Sequence, residues 1–339
     1  MPAPRRPVSC SGRPVLPARR RLLGAAALAA CLALLPGAAV SAHAEPGPKL
    51  PVTASFSILA DMARRIGGER VEVTELVGPG GDVHVFSPAP ADARRIAGAR
   101  LIITNGLALE GWMPRLIRAA GAKAPVVEAS RGVAPAGDGN GGHAHAAHAG
   151  GTHGGGGAHA HGHAGLDPHA WQDVRNAVIY AQNIRDGLVR ADPDGRETYE
   201  RNAAAYIAEL QALDADIRRM MAHIPPARRR IITTHDAFGY FGRAYGLELL
   251  APQGLSTESE PSATDVARVI RQIREAKAPA VFLEDVANPR LMQQIARETG
   301  AKIGGRLYTD SLTPPDGPAP DYVAMMRHNA GALAAALAE

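Results

Sequence analysis

Residues 196–222 read RETYERNAAAYIAELQALDADIRRMMA. Tyr199, Ala203, Tyr206, Leu210, Leu213, Ile217 and Met220–Met221 recur at three- and four-residue intervals, which places them on one face of an α-helix. Asp192-Pro193-Asp194 supplies a cap and restart before this helix, and Pro225-Pro226 stops it. At 1.5 Å per residue the segment spans roughly 40 Å, long enough to bridge two domains. Its neighbours on both sides decide what it bridges.

On the N-terminal side, short β-rich runs alternate with helical periodicity. Strands are expected over Val52–Phe56, Val71–Val77, Leu101–Thr104 and Pro125–Glu128, with helices over Ile58–Ile66, Pro90–Ala97 and Trp112–Ala120 between them. A helix over Asp173–Arg190 leads into the long one. On the C-terminal side the alternation resumes, with strands over Arg230–Thr234, Glu248–Ala251, Ala280–Leu283 and Ile303–Leu307. Helices are expected over Phe238–Tyr245, Ala263–Ala276 behind a Ser262 cap, Pro289–Thr299 and Tyr322–Ala338. Strands separated by helices signify a parallel sheet. The fold class is therefore α/β: two lobes, each a four-stranded parallel sheet flanked by helices, joined by one long helix. The corresponding division is a leader over 1–44, an N-terminal lobe over 45–172, a helical segment over 173–222 and a C-terminal lobe over 223–339.

The leader has a positive stretch ending Arg19-Arg20-Arg21, an apolar run from Leu22 to Leu35 and small residues around Ala42-His43-Ala44, the pattern of an export signal. The run is short for a spanning helix. Both cysteines, Cys10 and Cys31, lie in it. Leu28-Ala29-Ala30-Cys31 resembles a lipoprotein cleavage box, but the apolar run continues through Leu32–Leu35, so simple secretion to the periplasm is the preferred reading over lipid anchoring at Cys31. The leader also distorts the charge. Of 37 basic residues six are its arginines, which leaves 31 against 33 acidic residues. The mature chain is thus not a basic nucleic-acid binder.

Without cysteine, a metal site in the mature chain must use histidine and carboxylate. Seven of the thirteen histidines (His143, His145, His148, His153, His159, His161 and His163) crowd into residues 141–165, GGHAHAAHAGGTHGGGGAHAHGHAG. This loop has almost nothing to bury, and its glycines are costly to order. It reads as an accessory, low-affinity metal collector.

A selective site needs ligands on rigid elements. In open parallel sheets, ligands bind beyond the carboxyl ends of the strands. Four residues fall there: His84 in GPGGDVHVFSPAP, His169 in DPHAW, His235 in TTHDAFGYF and Asp310 in GGRLYTDSL. Two come from each half, so one ion would sit in the cleft. Three imidazoles and a carboxylate form a closed tetrahedral set for zinc. Cobalt, nickel and manganese are also admitted, although manganese prefers more oxygen. Asp167 and Asp236 are candidate hydrogen-bond partners of the ligand imidazoles. Glu258 and Glu260 are read as loop-shaping residues that could lie near the metal, Trp112 and Trp171 as packing residues, and His223 and His328 as structural.

GGDVHVFSPAP, DPHAW, THDAFGYF, STESEPSATD, ANPRLMQQIARETGAKIGG and YTDSL together resemble the zinc/manganese (cluster A-I) solute-binding proteins of bacterial metal ABC importers, over essentially all of residues 51–339. The motif around the first histidine has Val83 where that family often has proline. The resemblance implies a rigid backbone helix over Arg196–Ala222, metal capture outside the cytoplasm and the four ligands named above. Histidine at 235, where manganese-preferring members tend to have glutamate, resembles the zinc-preferring subtype. Zn2+ is then transported cargo, and the partner is a membrane permease. A periplasmic metallochaperone is compatible with this scheme, and a monomer is expected.

Three other readings stay open: a manganese or broad divalent-metal receptor of the same family, a zinc hydrolase and a surface adhesin. Against the hydrolase, the chain has no His-Glu-x-x-His helix and Asp310 would close the coordination.

Overall fold

Leu50–Phe56 (β1) is buried along nearly its whole length, as a central parallel strand covered on both faces must be. The structure, a computed structural model, describes residues 48–136, 166–276 and 278–338. The leader and the histidine-rich loop 141–165 lie outside the described residues.

After β1 come α1 (Ser57–Gly67), β2 (Val71–Val77), α2 (Pro90–Gly98), β3 (Leu101–Thr104), α3 (Met113–Ala120) and β4 (Val126–Glu128). All pairings are parallel, in the order β2-β1-β3-β4. The C-terminal half repeats this plan with β5 (Arg230–Ile232), α6 (Gly239–Tyr245), β6 (Glu248–Leu250), α7 (Ala263–Ala276), β7 (Ala280–Glu284), α8 (Pro289–Thr299), β8 (Lys302–Leu307) and α9 (Tyr322–Ala338). Its order, β6-β5-β7-β8, is the same permutation. In each sheet the winding reverses at the first strand, and the crevice beyond that point is where α/β folds bind ligands.

Between the sheets run α4 (Val174–Ala191) and α5 (Arg196–Ala222). The buried side chains of α5 are Tyr199, Ala203, Tyr206, Leu210, Leu213, Ile217 and Met221, the face expected from the periodicity. The N-terminal part of α5 is tied to the first lobe, where Asn202 Nδ2 donates to the Ile66 carbonyl at 3.1 Å and Arg65 pairs with Glu209 at 2.9 Å. The C-terminal part is tied to the second, where Arg218 donates to the Ala244 carbonyl at 2.8 Å and Tyr245 donates to Asp214 at 2.9 Å. One helix thus braces both lobes.

Asp192 plays a different part from the cap read in the sequence. No side chain caps α5, and the Asp192 carboxylate instead accepts from Arg70 at 2.9 Å and Tyr199 at 2.6 Å. Ser262 does cap α7, accepting the Asp265 N–H at 3.2 Å. Strand β5 ends at Ile232, two residues earlier than expected. The Thr234 N–H is taken by the Glu284 carboxylate at 2.5 Å, so the chain leaves the sheet there.

Apolar burial falls into two clusters. The larger runs from the first lobe through α4, α5 and α9 to α6. The smaller packs α7 and α8 on the outer face of the second sheet, through Ile232, Val269, Ile273, Val281, Met292 and Ile295 among others.

Candidate metal centre

The loop after β2 carries His84. Trp112 holds it from below, its indole N–H donating to the Val83 carbonyl at 3.0 Å while the ring packs on Phe86. Asp82 turns the backbone inward, its Oδ1 accepting the His84 N–H at 2.9 Å. Asp167 does the same for His169 at 2.9 Å, and its Oδ1 also lies 2.9 Å from His169 Nδ1. A carboxylate there requires Nδ1 to be the donor, which leaves the Nε2 lone pair free for a cation. The preceding residue is fixed as well, since Asn105 at the end of β3 donates to the Pro168 carbonyl at 2.9 Å and accepts from Tyr180 at 2.5 Å. The turn that follows Asn105 keeps positive φ at Gly106 (87°), Leu107 (52°) and Ala108 (63°).

His235 follows β5. Glu284, the last residue of β7, accepts its backbone N–H at 3.0 Å and binds its Nδ1 in a very short contact. Here too Nε2 is turned to the centre. Asp310 follows β8 in a bend held by the first lobe: Trp171 and Gln172 donate to the Thr309 carbonyl at 2.9 and 3.0 Å. Just beyond it, Gly80 N–H donates to Ser311 Oγ at 2.6 Å and Leu312 N–H to Ser57 Oγ at 3.0 Å.

These anchors bring one ligand atom each from His84, His169, His235 and Asp310 within 4.8 Å of one another. His84 Nε2 is 3.3 Å from His169 Nε2. Asp310 oxygens lie 3.2 Å from His235 Nε2 and 3.6 Å from both His84 Nε2 and His169 Nε2. A tetrahedron with bonds of about 2.0–2.2 Å has edges of about 3.3–3.6 Å. His169, His235 and Asp310 are fully buried, and His84 is 8% exposed.

The electrostatics suit a cation. His235 Nε2 and both Asp310 oxygens are buried with no hydrogen-bond partner, an expensive arrangement unless something positive joins them. Burial alone would push the His235 imidazole down, but the Glu284 and Asp310 carboxylates outweigh it and hold its pKa well above the ordinary value. Burial would raise Asp310, yet His235 and His169 hold it well below the usual carboxylate range. A metal cation can replace the proton that this pairing would otherwise keep, and Asp310 with Glu284 balances two positive charges.

The residues around this centre divide unevenly against the sequence reading. Asp167 partners His169 as expected. Asp236 does not partner His235: its N–H donates to the Gly254 carbonyl at 3.1 Å, and its carboxyl is pushed up by burial and by Asp167 nearby. Glu284 takes that role and was missed. Both tryptophans pack as expected, and Trp171 also stacks its ring edge near His169, 5.4 Å between centroids. Glu258 and Glu260 line cavities beside the centre rather than join it. His223 and His328 are remote from the centre and bind backbone carbonyls of Arg219 and Arg306.

Residues 52–336 match the family described as zinc-uptake complex component A, periplasmic (ZnuA). The chain belongs to this family. As a ZnuA-family member it is a metal-binding receptor of the ABC-importer type, a group of transporter components rather than enzymes. It is 34% identical over 305 residues to the manganese-binding lipoprotein MntA of Halalkalibacterium halodurans, covering 89% of this chain and 93% of that one. It is 33% identical over 318 residues to the iron-binding protein YfeA of Yersinia pestis, covering 92% and 96%. The periplasmic zinc-binding protein TroA of Treponema pallidum superposes with a TM-score of 0.75 at 30% identity, over 86% of this chain and all of that one. Relatives of this ZnuA-family chain are thus named for manganese, iron and zinc.

Proposed function

We propose that the chain captures Zn2+ outside the cytoplasm through His84, His169, His235 and Asp310 and hands it to a membrane permease as cargo. The observation that carries this is the third imidazole, His235, turned inward by Glu284. Three nitrogens and one carboxylate at tetrahedral spacing favour zinc over a metal that prefers oxygen. The absence of an open coordination position disfavours the hydrolase reading, and nothing in the geometry calls for an adhesin.

One observation favours the second reading, a manganese or broad divalent receptor. Both Asp310 oxygens face the centre without partners, and a carboxylate that chelates through both gives the larger, more oxygen-rich shell such ions take. Competing zinc and manganese titrations decide between them. We expect one tight zinc per chain, lost in His235→Ala and retained in a chain lacking residues 141–165. Manganese binding tighter than zinc would select the second reading, and loss of the tight site on deleting 141–165 would refute its placement in the cleft.

Residues 1–44 direct export, and among the described residues no helix is long and apolar enough to cross a membrane. Relatives named as lipoproteins shift the preferred reading of the leader from simple secretion to acylation at Cys31. The 141–165 histidines act as a collector, tethered four residues before His169. A periplasmic metallochaperone would load such a collector more readily than the buried centre. The mature chain works as a monomer.

A further inference from the structure

We propose that Thr257 is a positioning residue for His84 and that its hydroxyl sets the rate at which the ion leaves. This rests on the metal-receptor reading of the site. Three of the four ligands are fully buried, and His84 alone keeps some exposure, at 8%. The ion's route to solvent therefore runs past the loop that carries His84.

That loop meets the opposite lobe at two points: Gly80 N–H bonds Ser311 and Leu312, and beside His84 the Asp82 carboxylate bonds Thr257. Asp82 Oδ1 accepts the His84 N–H at 2.9 Å, and Asp82 Oδ2 accepts the Thr257 hydroxyl at 2.6 Å. The second bond is short and charge-assisted, the stronger kind. Thr257 belongs to the segment between β6 and α7, residues 251–262, in which Pro252 is the only buried residue. Apart from Ser262, which caps α7, the described hydrogen bonds of that segment to its own lobe are Gln253 N–H to the Thr234 carbonyl at 3.2 Å and Asp236 N–H to the Gly254 carbonyl at 3.1 Å. A segment with so little buried apolar area opens at low cost once its cross-lobe bond is lost.

Open space adjoins both this contact and His84. A cavity of about 370 Å³ is lined by Asp82, Val85, Thr257 and Glu260, and another of about 390 Å³ by His84, Val85 and Glu258. Val85, 53% exposed, is common to both. Both partners of the Thr257–Asp82 bond lie in the lining of the first cavity, next to Val85. When it breaks, Asp82 loses its cross-lobe partner, the turn that aims His84 loosens, and the ligand nearest solvent lets go first.

The test is stopped-flow release of Zn2+ from the loaded chain into excess chelator, repeated with Mn2+. Thr257→Val keeps the shape and removes the donor; Thr257→Ser keeps the donor. Losing one hydrogen bond to a charged group predicts release on the order of ten-fold faster in Thr257→Val, with Thr257→Ser close to the parent. The stoichiometry and the melting temperature of the metal-free chain should not change, which a merely structural role would not allow. Parent and Thr257→Val releasing at one rate, while His235→Ala still abolishes tight binding, overturns the latch and leaves the site standing. Tight binding that survives His235→Ala overturns both.

Discussion

In the first lobe each ligand histidine is aimed by an aspartate two residues upstream, Asp82 for His84 and Asp167 for His169. In the second, His235 is aimed by Glu284, which arrives from another strand 49 residues away. The cores differ in parallel. The first sheet shares one continuous apolar cluster with α4, α5 and α9 that also reaches one face of the second sheet, whereas α7 and α8 cover that sheet's outer face with a small cluster of their own. The second lobe's share of the centre exists only when β5 and β7 have paired, through Ile231 with Ala280 and Ile232 with Val281. One half of the site is therefore local in the chain and the other is a product of tertiary structure.

Removing a ligand from each half should expose that difference most strongly. Zinc binding of 10–16 kcal/mol spread over four ligands is about 3 kcal/mol each, so either His84→Ala or His235→Ala should weaken affinity 100-fold or more. The metal-free chains should then diverge. His235→Ala strands the Glu284 carboxylate in a fully buried position, a loss of about 3–5 kcal/mol in the unpaired-charge range. In His84→Ala, Asp82 keeps its bond from Thr257 and the destabilisation should be smaller. Urea unfolding of both in chelator checks this; equal midpoints would erase the distinction between the halves.

The core difference makes a second, slightly smaller effect. Ile273→Ala opens the α7/α8 cluster and should cost about 2–4 kcal/mol. Amide exchange should rise through α7, α8 and the ends of β7, and stay low in α5. Exchange that rises equally in α5 would mean that the two clusters unfold as one unit.

The same asymmetry explains which parts were legible in the sequence. Short β-rich runs and period-3.6 runs place every strand and helix to within a few residues, because each is a local pattern. His84 and His169 stand out because they fall in loops beyond the carboxyl ends of the strands, and Asp167 because it lies two positions from His169. Glu284 had no such signal. It ends the apolar run AVFLE, and its proximity to His235 depends on strand order, which no local pattern states. The available cue was topological: an acid at the carboxyl end of a buried parallel strand stands where such sheets collect ligands. Asp236 was read in its place because it neighbours His235 in the chain, but its backbone is bonded towards Gly254 and its carboxyl lies by Asp167.

The long-range half of the site also carries a proton that the ion must displace. Against the effect of burial, Glu284 and Asp310 hold the His235 pKa well above its ordinary value, so the metal-free imidazole keeps its proton to higher pH than a free one, and ligation needs its Nε2 lone pair. Zinc binding measured at pH 7.5 by calorimetry in buffers of different ionisation enthalpy should release more protons than ligation of an ordinary imidazole would. The His235 share of the affinity should grow by about 1.4 kcal/mol per pH unit up to the raised pKa and level off above it. Glu284→Gln removes the larger of the two charges responsible, so it should release less than the parent at pH 7.5 while weakening zinc about 10–100-fold. Equal proton release in parent and variant would detach the proton from His235. Stability of the metal-free chain runs the other way. A pKa raised on folding stabilises the fold fully below the unfolded value near 6.5, and that contribution is lost as pH rises through the folded value. The metal-free chain thus gives up this support over the same pH range in which its zinc affinity climbs, because proton and ion compete for one seat between Glu284 and Asp310.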